Sequence, residues 1–336
     1  MNYESISALS EEIQKQGQFL QDIEREVSKV VVGQRQMIHH LLIGLLANGH
    51  ILLEGVPGLA KTTAVKALSK SIDASFHRLQ FTPDLLPADL IGTLIYNQRE
   101  ATFQVKKGPI FANFILADEI NRAAAKVQSA LLESMQESQV TIGDTTYPLA
   151  PPFFVLATQN PIEQEGTYPL PEAQLDRFLF NIMVKYPTQS EELDIMRSVT
   201  TDDEPELNEV VDAKTILEFQ HVVRRIPVAD HVFEYAAALV RATRPDEADA
   251  PDFVKKLMAW GAGPRASLNL IIAGKARAAL RGRSHVAIED IQALSLPILR
   301  HRIIPNFAAR SEGMTSDTLI EKLLAEIPSD EKLYKK

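Results

Sequence analysis

The sequence predicts an α/β protein whose first part holds a five-stranded parallel sheet with helices on both faces. Up to residue 187, short continuous apolar runs alternate with helical patterns, which is typical of a parallel sheet covered by helices. After residue 187 the apolar residues recur at helical spacing, with breaks at residues 202–206, 244–251 and 261–264. We therefore expect an α/β core over residues 1–187 and a small all-α domain over residues 188–336.

Helical patterns open the chain. Apolar residues in the segment 4–31 fall on one face of a single amphipathic helix, and a second helix follows through residues 38–46. Five later runs are expected to be strands: residues 51–54, 76–81, 114–117, 153–157 and 178–184. The runs at 76–81, 114–117 and 153–157 are expected to be buried, because their apolar residues are continuous rather than alternating.

Two further segments have the residue pattern of β-hairpins. The first spans residues 94–107 and the second spans residues 139–149, each with turn-forming residues between two short strand-like runs. We expect both hairpins to be insertions in the α/β core.

The composition is that of a globular protein and excludes some classes of site. The 336 residues include no cysteine, which excludes disulfides and thiolate metal sites. Lys and Arg total 35 against 44 Asp and Glu, and the net charge of -9 weighs against a surface dedicated to nucleic acid. No apolar run reaches the roughly 18 residues of a membrane span. The first residues lack a signal-peptide pattern, so we expect a cytoplasmic protein.

The segment Ile51–Thr63 has the order of a phosphate-binding loop, or P-loop. A strand leads into a Gly-rich turn whose backbone N–H groups can face a phosphate, and a helix follows. In such a loop Lys61 reaches the β- and γ-phosphates, and the Thr62 hydroxyl binds Mg²⁺. Ala60 stands where a second glycine is usual. Because alanine disfavours a positive φ, we expect the match to hold only if residue 60 is already helical.

Polar residues follow two of the predicted strands. Asp118 and Glu119 come after the run 114–117, at the end of a parallel strand where ligands of α/β sheets bind. We expect Asp118 to orient Mg²⁺ through its water shell and Glu119 to polarise the attacking water. Asn160 follows the run 153–157 and could bond the γ-phosphate or that water, although Asn before Pro is also common in turns.

Two arginines lie next to predicted helix ends. Arg177 follows one helix, and it could act as an arginine finger on the nucleotide of a neighbouring subunit or pair locally with Asp176. Arg265 lies in the first turn of a helix that Gly263 and Pro264 open. A cation is disfavoured at a helix N-terminus, which indicates an anionic partner such as the γ-phosphate.

Taken in order, these motifs resemble those of the AAA+ ATPases, and over residues 30–310 the chain is similar to the MoxR family among them. The likeness to that family is carried by residues 55–62, 80–87, 118–123 and 158–161. Alanine is usual in the MoxR family where Ala60 stands, so this departure from the general pattern supports the resemblance.

The resemblance implies an AAA+ core followed by a helical lid, with ATP and Mg²⁺ as ligands. It makes Glu119 and Asp118 the Walker B pair, with Thr62 and Asp118 at the metal. It further implies that Asn160 is sensor 1, Arg177 the arginine finger and Arg265 sensor 2. The nucleotide-binding residues that it implies are Val32, Gly33, Gly55, Val56, Pro57, Gly58, Leu59, Ala60, Lys61, Thr62 and Thr63.

The resemblance also implies partners and a use for the hydrolysis. A hexameric ring of identical subunits would hydrolyse ATP at subunit interfaces, for chaperone-like remodelling, maturation or metal-cofactor insertion of a client protein. A von Willebrand factor A domain protein would be a further partner. Two alternatives stay open. A nucleic-acid motor or loader is disfavoured by the net charge of -9, and a chelatase-type ATPase subunit gains no support from 8 scattered histidines.

Overall fold

The chain divides into two compact units. The computed structural model describes residues 3–56, 58–161, 166–200 and 205–329. The unit that we call the sheet unit comprises Phe19–Phe178 and Ile182–Glu218. The helical unit comprises Met1–Gln18, Leu179–Asn181 and Phe219–Lys336. Within the described ranges, no helix is both long and apolar enough to cross a membrane.

A five-stranded parallel sheet forms the centre of the sheet unit, as predicted. Strands in chain order are β1 (Ile51–Glu54), β2 (Phe76–Gln80), β3 (Gly92–Asn97), β4 (Thr102–Lys107), β5 (Phe114–Asp118), β6 (Gln139–Ile142), β7 (Thr145–Pro148), β8 (Phe154–Gln159) and β9 (Phe180–Met183). The sheet order is β2-β5-β8-β1-β9. The pairs β2–β5, β5–β8 and β1–β8 are parallel, so their carboxyl ends meet at one edge.

The helices begin with a break that the sequence pattern did not predict. In chain order they are α1 (Tyr3–Gln16), α2 (Gln18–Ser28), α3 (Arg35–Leu46), α4 (Lys61–Ser71), α5 (Pro87–Ile91), α6 (Ala125–Glu137), α7 (Glu172–Leu175), α8 (Gln189–Val199) and α9 (Ala213–Arg225). The expected single helix over residues 4–31 is wrong, because α1 and α2 are separated at Gly17. Glycine weakens a helix interior by about 1 kcal/mol relative to alanine, which favours a break there.

Strand β2 also differs from the expectation. The apolar residues of β5 and β8 are buried as predicted, but β2 lies at the edge of the sheet. His77, Arg78 and Gln80 are exposed, so the run 76–81 is not buried on both faces. The register pairs Gln80 with Asp118, which brings polar side chains of β2 next to the end of β5.

The two segments with hairpin patterns form separate two-stranded sheets. Strands β3 and β4 pair antiparallel, and β6 pairs antiparallel with β7. Behind the main sheet, α6 contributes Leu131 and Leu132 to a buried cluster with Ile115 of β5 and Val155 of β8. This apolar packing fixes the strand ends that carry the candidate site.

The helical unit is built mainly from helices of the carboxyl-terminal half. They are α10 (Asp230–Arg241), α11 (Asp252–Leu257), α12 (Pro264–Leu280), α13 (Ile288–Leu299), α14 (Phe307–Ser311) and α15 (Ser316–Glu326). A short antiparallel pair, β10 (Met258–Trp260) with β11 (Ile304–Pro305), adds to the predicted helices. Helix α12 packs against α10 and α13. A fully buried carboxylate, Asp290 of α13, accepts bonds from Arg277 and Arg283.

Candidate nucleotide site

A cavity of about 540 Å³ lies at the carboxyl ends of β1, β5 and β8. That volume is typical of a small-molecule site. The structure places there these residues that the sequence predicted: Val32, Gly58, Leu59, Ala60, Lys61, Thr62, Thr63, Asp118, Glu119 and Asn160. Gly33 lies between two residues of the cavity wall, Val32 and Gln34, and has a φ of 70°. Pro57 lies outside the described residues.

The P-loop backbone corrects the expectation for Ala60. Gly58 has a φ of 86°, and Ala60 has φ 55° and ψ 17°, so both residues are left-handed. Residue 60 is therefore not helical, and it caps the N-terminus of α4 instead. Left-handed backbone in such a loop turns successive N–H groups towards one anion. For alanine it costs roughly 1–2 kcal/mol, and the loop carries this strain.

Lys61 is held inside the loop. Its Nζ donates to the carbonyl oxygen of Gly55 at 2.6 Å. Burial lowers the pKa of the Lys61 ammonium, while the nearby carboxylates of Asp118, Glu119 and Glu54 act in the opposite direction. Gly55 itself is closely packed, since a Cβ added to it would lie 2.8 Å from the backbone oxygen of Val184. The lysine is thus fixed where a phosphate on the loop would meet it.

Asp118 is engaged on both of its oxygens. Its Oδ1 accepts the Thr158 hydroxyl at 2.5 Å, and its Oδ2 accepts Arg78 Nη2 at 2.6 Å and Nε at 3.1 Å. The carboxylate is mostly buried, with 14% of the side chain exposed. Thr158 on β8 and Arg78 on β2 therefore orient it from the two strands that flank β5.

Glu119 is fixed in both backbone and side chain. Its backbone is left-handed, with a φ of 57°, and its N–H donates to the Thr158 hydroxyl at 2.8 Å. Its Oε2 accepts Gln80 Nε2 at 2.7 Å and lies 3.1 Å from Arg122 Nε. The carboxylate that the sequence assigns to water activation is therefore held by two donors.

The other predicted residues are distributed differently. Asn160 is 7% exposed and faces the cavity. Arg177 follows α7 and is half-buried, and it is not one of the residues that line the cavity. Arg265 is an exposed residue in the first turn of α12, within the helical unit. Local sequence placed both arginines at the correct kind of helix end.

Sequence reasoning missed the roles of Arg78, Gln80 and Thr158. The first two are exposed residues two positions apart on β2, so they point to the same face of the strand. Arg78 Nη2 also donates to Gln80 Oε1 at 2.9 Å, which links the contacts on Asp118 and Glu119. Two polar residues at that spacing, in a segment expected to be a buried strand, were the available signal.

The residues at the cavity fit Mg²⁺. The Thr62 hydroxyl and the Asp118 carboxylate line the same cavity, and both are hard oxygen donors of the kind that Mg²⁺ prefers. Mg²⁺ is usually held by one or two such groups together with phosphates and water. The guanidinium of Arg78 now occupies Asp118 Oδ2, so cation and arginine would compete for that oxygen.

Profiles of known families match both parts of the chain. Residues 50–180 match the family described as "ATPase family associated with various cellular activities (AAA)". Residues 253–323 match the family described as "AAA lid domain". The first range holds residues 55–62, Asp118 and Glu119, and the second holds Arg265.

Relatives resemble the chain over most of its length. It is 46% identical over 299 residues to "Chaperone MoxR1" of Mycobacterium tuberculosis, covering 89% of this chain and 79% of that protein. It is 32% identical to "Protein MoxR" of Methylorubrum extorquens, covering 91% of this chain and 94% of that protein. A crystal structure of a putative ATPase from Cytophaga hutchinsonii superposes with a TM-score of 0.89 at 50% identity, covering 97% of this chain and 99% of that one.

Proposed function

Because the chain belongs to the MoxR family of AAA+ ATPases, we propose that it hydrolyses ATP at subunit interfaces to remodel a client protein. The observation that carries the proposal is the cavity at which Lys61, Asp118 and Glu119 converge. A loop that binds phosphate, a carboxylate for the cation and a second carboxylate for water are the parts that phosphoryl transfer to water needs.

Each group has a defined task in hydrolysis. The loop N–H groups and Lys61 bind the β- and γ-phosphates and stabilise the negative charge on them. Thr62 and Asp118 would hold Mg²⁺, which when bound neutralises charge on the phosphates. Glu119 accepts a proton from the attacking water or orients it, and the amide of Asn160 bonds the γ-phosphate or that water.

We assign the arginine finger to Arg177. It is half-buried at the carboxyl end of α7 and is not part of its own subunit's cavity wall. An arginine that stabilises the transition state from a neighbouring subunit would make the site complete only in an oligomer. The proposal therefore includes a ring of identical subunits, with Arg265 as a further contact to the γ-phosphate.

A mixed assembly tests this arrangement. Lys61→Ala subunits lack phosphate binding but retain Arg177, while Arg177→Ala subunits bind ATP but lack the finger. Each variant alone should be inactive, and an equimolar mixture should recover part of the wild-type rate. An assembled mixture with no recovery would contradict a finger acting in trans, and an active Arg177→Ala homo-oligomer would remove Arg177 from the mechanism.

The chaperone role is supported by the relative named "Chaperone MoxR1" and by the β3–β4 hairpin. Tyr96 and Phe103 lie opposite each other in that hairpin, with ring centroids 5.2 Å apart, and are 50% and 69% exposed. A contiguous exposed apolar patch, unlike a single exposed apolar residue, is typical of a surface that contacts a partner. They would contact the client, and a von Willebrand factor A domain protein would be a further partner.

A trapped complex tests the client role. Glu119→Gln should bind ATP without hydrolysing it, so that clients stay bound and can be identified after affinity capture. The control is Glu119→Gln combined with Lys61→Ala, which cannot bind ATP. Proteins captured equally by both variants, or nucleic acid rather than protein in the complex, would contradict the proposed role.

A further inference from the structure

A buried amide on α6 connects two segments of the site. Gln128 is 1% exposed, and its Nε2 donates to the carbonyl oxygens of Ile120 at 3.2 Å, Ala123 at 3.1 Å and Tyr168 at 2.9 Å. Within the described residues no donor reaches its Oε1. The orientation of the amide is therefore set by the three carbonyls. Burying a polar group costs free energy unless its hydrogen bonds compensate for the water that it loses.

On one side Gln128 holds the turn that carries Glu119. Ile120 follows Glu119 directly and begins a short 3-10 turn, Ile120–Arg122. Other contacts also fix this turn, because Ile120 and Ala123 are fully buried and the Glu119 N–H is bonded to Thr158. The Walker B turn is thus anchored independently of the amide.

On the other side Gln128 holds the segment that leads to Arg177. Tyr168 accepts from the amide through its carbonyl, and its own N–H donates to Asn121 O at 2.6 Å. Between Tyr168 and α7 lie Pro169, Leu170 and Pro171, and the two prolines restrict φ. A fixed Tyr168 therefore fixes the start of α7, with few intervening torsions that can absorb a movement.

Helix α7 also contacts α6 next to this amide. Gln174 Nε2 lies 3.5 Å from the Ser129 hydroxyl, and Ser129 is the neighbour of Gln128 in α6. Arg177 follows two residues after α7 ends, at the end of this chain of contacts. The same short helix is therefore positioned from its beginning by Gln128 and along its length by α6.

We propose that Gln128 is a positioning residue that couples a subunit's own Walker B turn to the arginine it donates to its neighbour. The inference rests on the proposed role of Arg177. Of the two segments, the one at residues 167–177 depends more on the amide, because the Walker B turn has the additional buried anchors described above. Loss of the amide should therefore produce the defect of a missing finger, not of a missing base.

The test uses Gln128→Met, which keeps the length of the side chain and removes the donor. The control is Gln136→Leu, which changes an exposed glutamine of the same helix. A second variant, Pro169→Gly, gives the backbone between Tyr168 and α7 more freedom. Pro169 is exposed, and this change leaves the buried amide of Gln128 in place. Gln128→Met and Pro169→Gly should both bind a fluorescent ATP analogue within about two-fold of wild type. Gln128→Met should hydrolyse ATP at least about five-fold more slowly, the loss expected for one hydrogen bond. Pro169→Gly should also slow hydrolysis, because glycine frees the φ that proline restricts.

Mixed assemblies then show whether the arginine finger or the base Glu119 has lost its position. Gln128→Met mixed with Lys61→Ala should recover activity, because the latter supplies intact fingers. Mixed with Arg177→Ala it should not recover, since neither subunit then supplies a well-positioned finger. Recovery only with Arg177→Ala would place the defect at the base and overturn the proposal.

Two further measurements distinguish a failure of the positioning role of Gln128 from a failure of the finger in trans. Recovery by the Lys61→Ala and Arg177→Ala mixture supports the finger in trans, whatever Gln128 does. Hydrogen–deuterium exchange of the peptide spanning residues 167–178 should be faster by about five-fold in Gln128→Met, with the α4 peptide unchanged. Unchanged exchange in that peptide would overturn the positioning role, even if the mixture shows that Arg177 does not act in trans.

Discussion

Gln80 Nε2 lies 2.7 Å from Glu119 Oε2, so an amide of the edge strand holds the carboxylate that would activate water. Gln80 is in turn bonded to Arg78, which holds the neighbouring Asp118. Both acidic residues, Asp118 and Glu119, are therefore engaged by side chains of β2. The amide of Gln80 therefore competes with water for one of the lone pairs with which the Glu119 carboxylate accepts a proton.

Gln80→Ala is therefore expected to raise the ATPase rate measured without a client, by a factor of about two to ten for the loss of one hydrogen bond to a charged group. Steady-state phosphate release at saturating ATP is the measurement. Gln104→Ala is a matched control, because Gln104 Nε2 makes an equivalent 2.7 Å bond to Glu100 in the β3–β4 hairpin. An unchanged rate would contradict a restraint by this bond, and a lower rate would mean that the bond holds Glu119 in its productive position.

Glu119→Gln is expected to reduce the rate by at least about 100-fold, since a neutral amide cannot accept a proton. ATP binding should change little, because the amide keeps an oxygen for the donors Gln80 and Arg122. Single-turnover hydrolysis and nucleotide titration measure the two effects separately. Substantial turnover by this variant would exclude Glu119 as the base.

The sequence predicted the sheet and the strand ends better than it predicted the side-chain contacts between neighbouring strands. Continuous apolar runs identified β5 and β8, because both strands are buried on both faces. The same reasoning failed for β2, whose edge position follows from strand order and not from local pattern. The roles of Arg78 and Gln80 were missed for the same reason, since they depend on which strand lies beside β5.

Local rules also failed where the site imposes strain. The steric cost of a positive φ argued that Ala60 would be helical, yet its φ is 55°. A phosphate loop requires inward N–H groups, and tertiary structure can hold a residue in a disfavoured region at a cost of roughly 1–3 kcal/mol. For Arg177 local sequence left a finger or a pair with Asp176 open, and for Arg265 it indicated only an anionic partner. The resemblance was needed to choose between these roles, because neither arginine lines the cavity.

Ala60→Gly is expected to stabilise the protein by up to about 1 kcal/mol, because glycine adopts a positive φ without a Cβ penalty. Greater freedom of glycine in the unfolded chain offsets part of this gain. Urea denaturation of the nucleotide-free protein is the measurement. Ala64→Gly in the interior of α4 is the control and should destabilise by at least about 1 kcal/mol, because it also removes a buried methyl group. Equal destabilisation by both changes would contradict a left-handed Ala60.

Asp290→Asn is expected to destabilise the helical unit by about 3–5 kcal/mol, because it leaves buried arginine charge without its carboxylate. Asp290 is fully buried, and its Oδ2 also accepts the Ala287 N–H at 2.9 Å. The control is Asp317→Asn, which breaks a pair with Arg300 at a residue whose side chain is 37% exposed. That change should cost no more than about 1 kcal/mol. A similar loss of stability in both variants, measured by thermal denaturation, would contradict the role of Asp290 as the buried partner of the two arginines.

Acid is expected to weaken the sheet unit through His50. Burial lowers the pKa of His50 to about 4, against a smaller opposite effect of its bond to the Met135 carbonyl. Its ring joins α6 to β8, since Nε2 lies 3.0 Å from Met135 O and Nδ1 accepts the Val155 N–H at 3.1 Å. The bonds to an acceptor and a donor together require the neutral imidazole.

Because the folded-state pKa lies below the unfolded value of 6.5, the unfolded chain binds more protons between these two values. Stability contributed by His50 is therefore complete above the unfolded pKa and is lost as the pH falls towards 4. From pH ~7 to ~5 the loss should be about 1–2 kcal/mol.

Urea denaturation at both pH values, compared between wild type and His50→Gln, isolates this contribution. The exposed His285→Gln variant is the control and should keep the wild-type pH slope, whereas His50→Gln should have a smaller one. Identical slopes in wild type and His50→Gln would show that His50 is not the group that acid titrates.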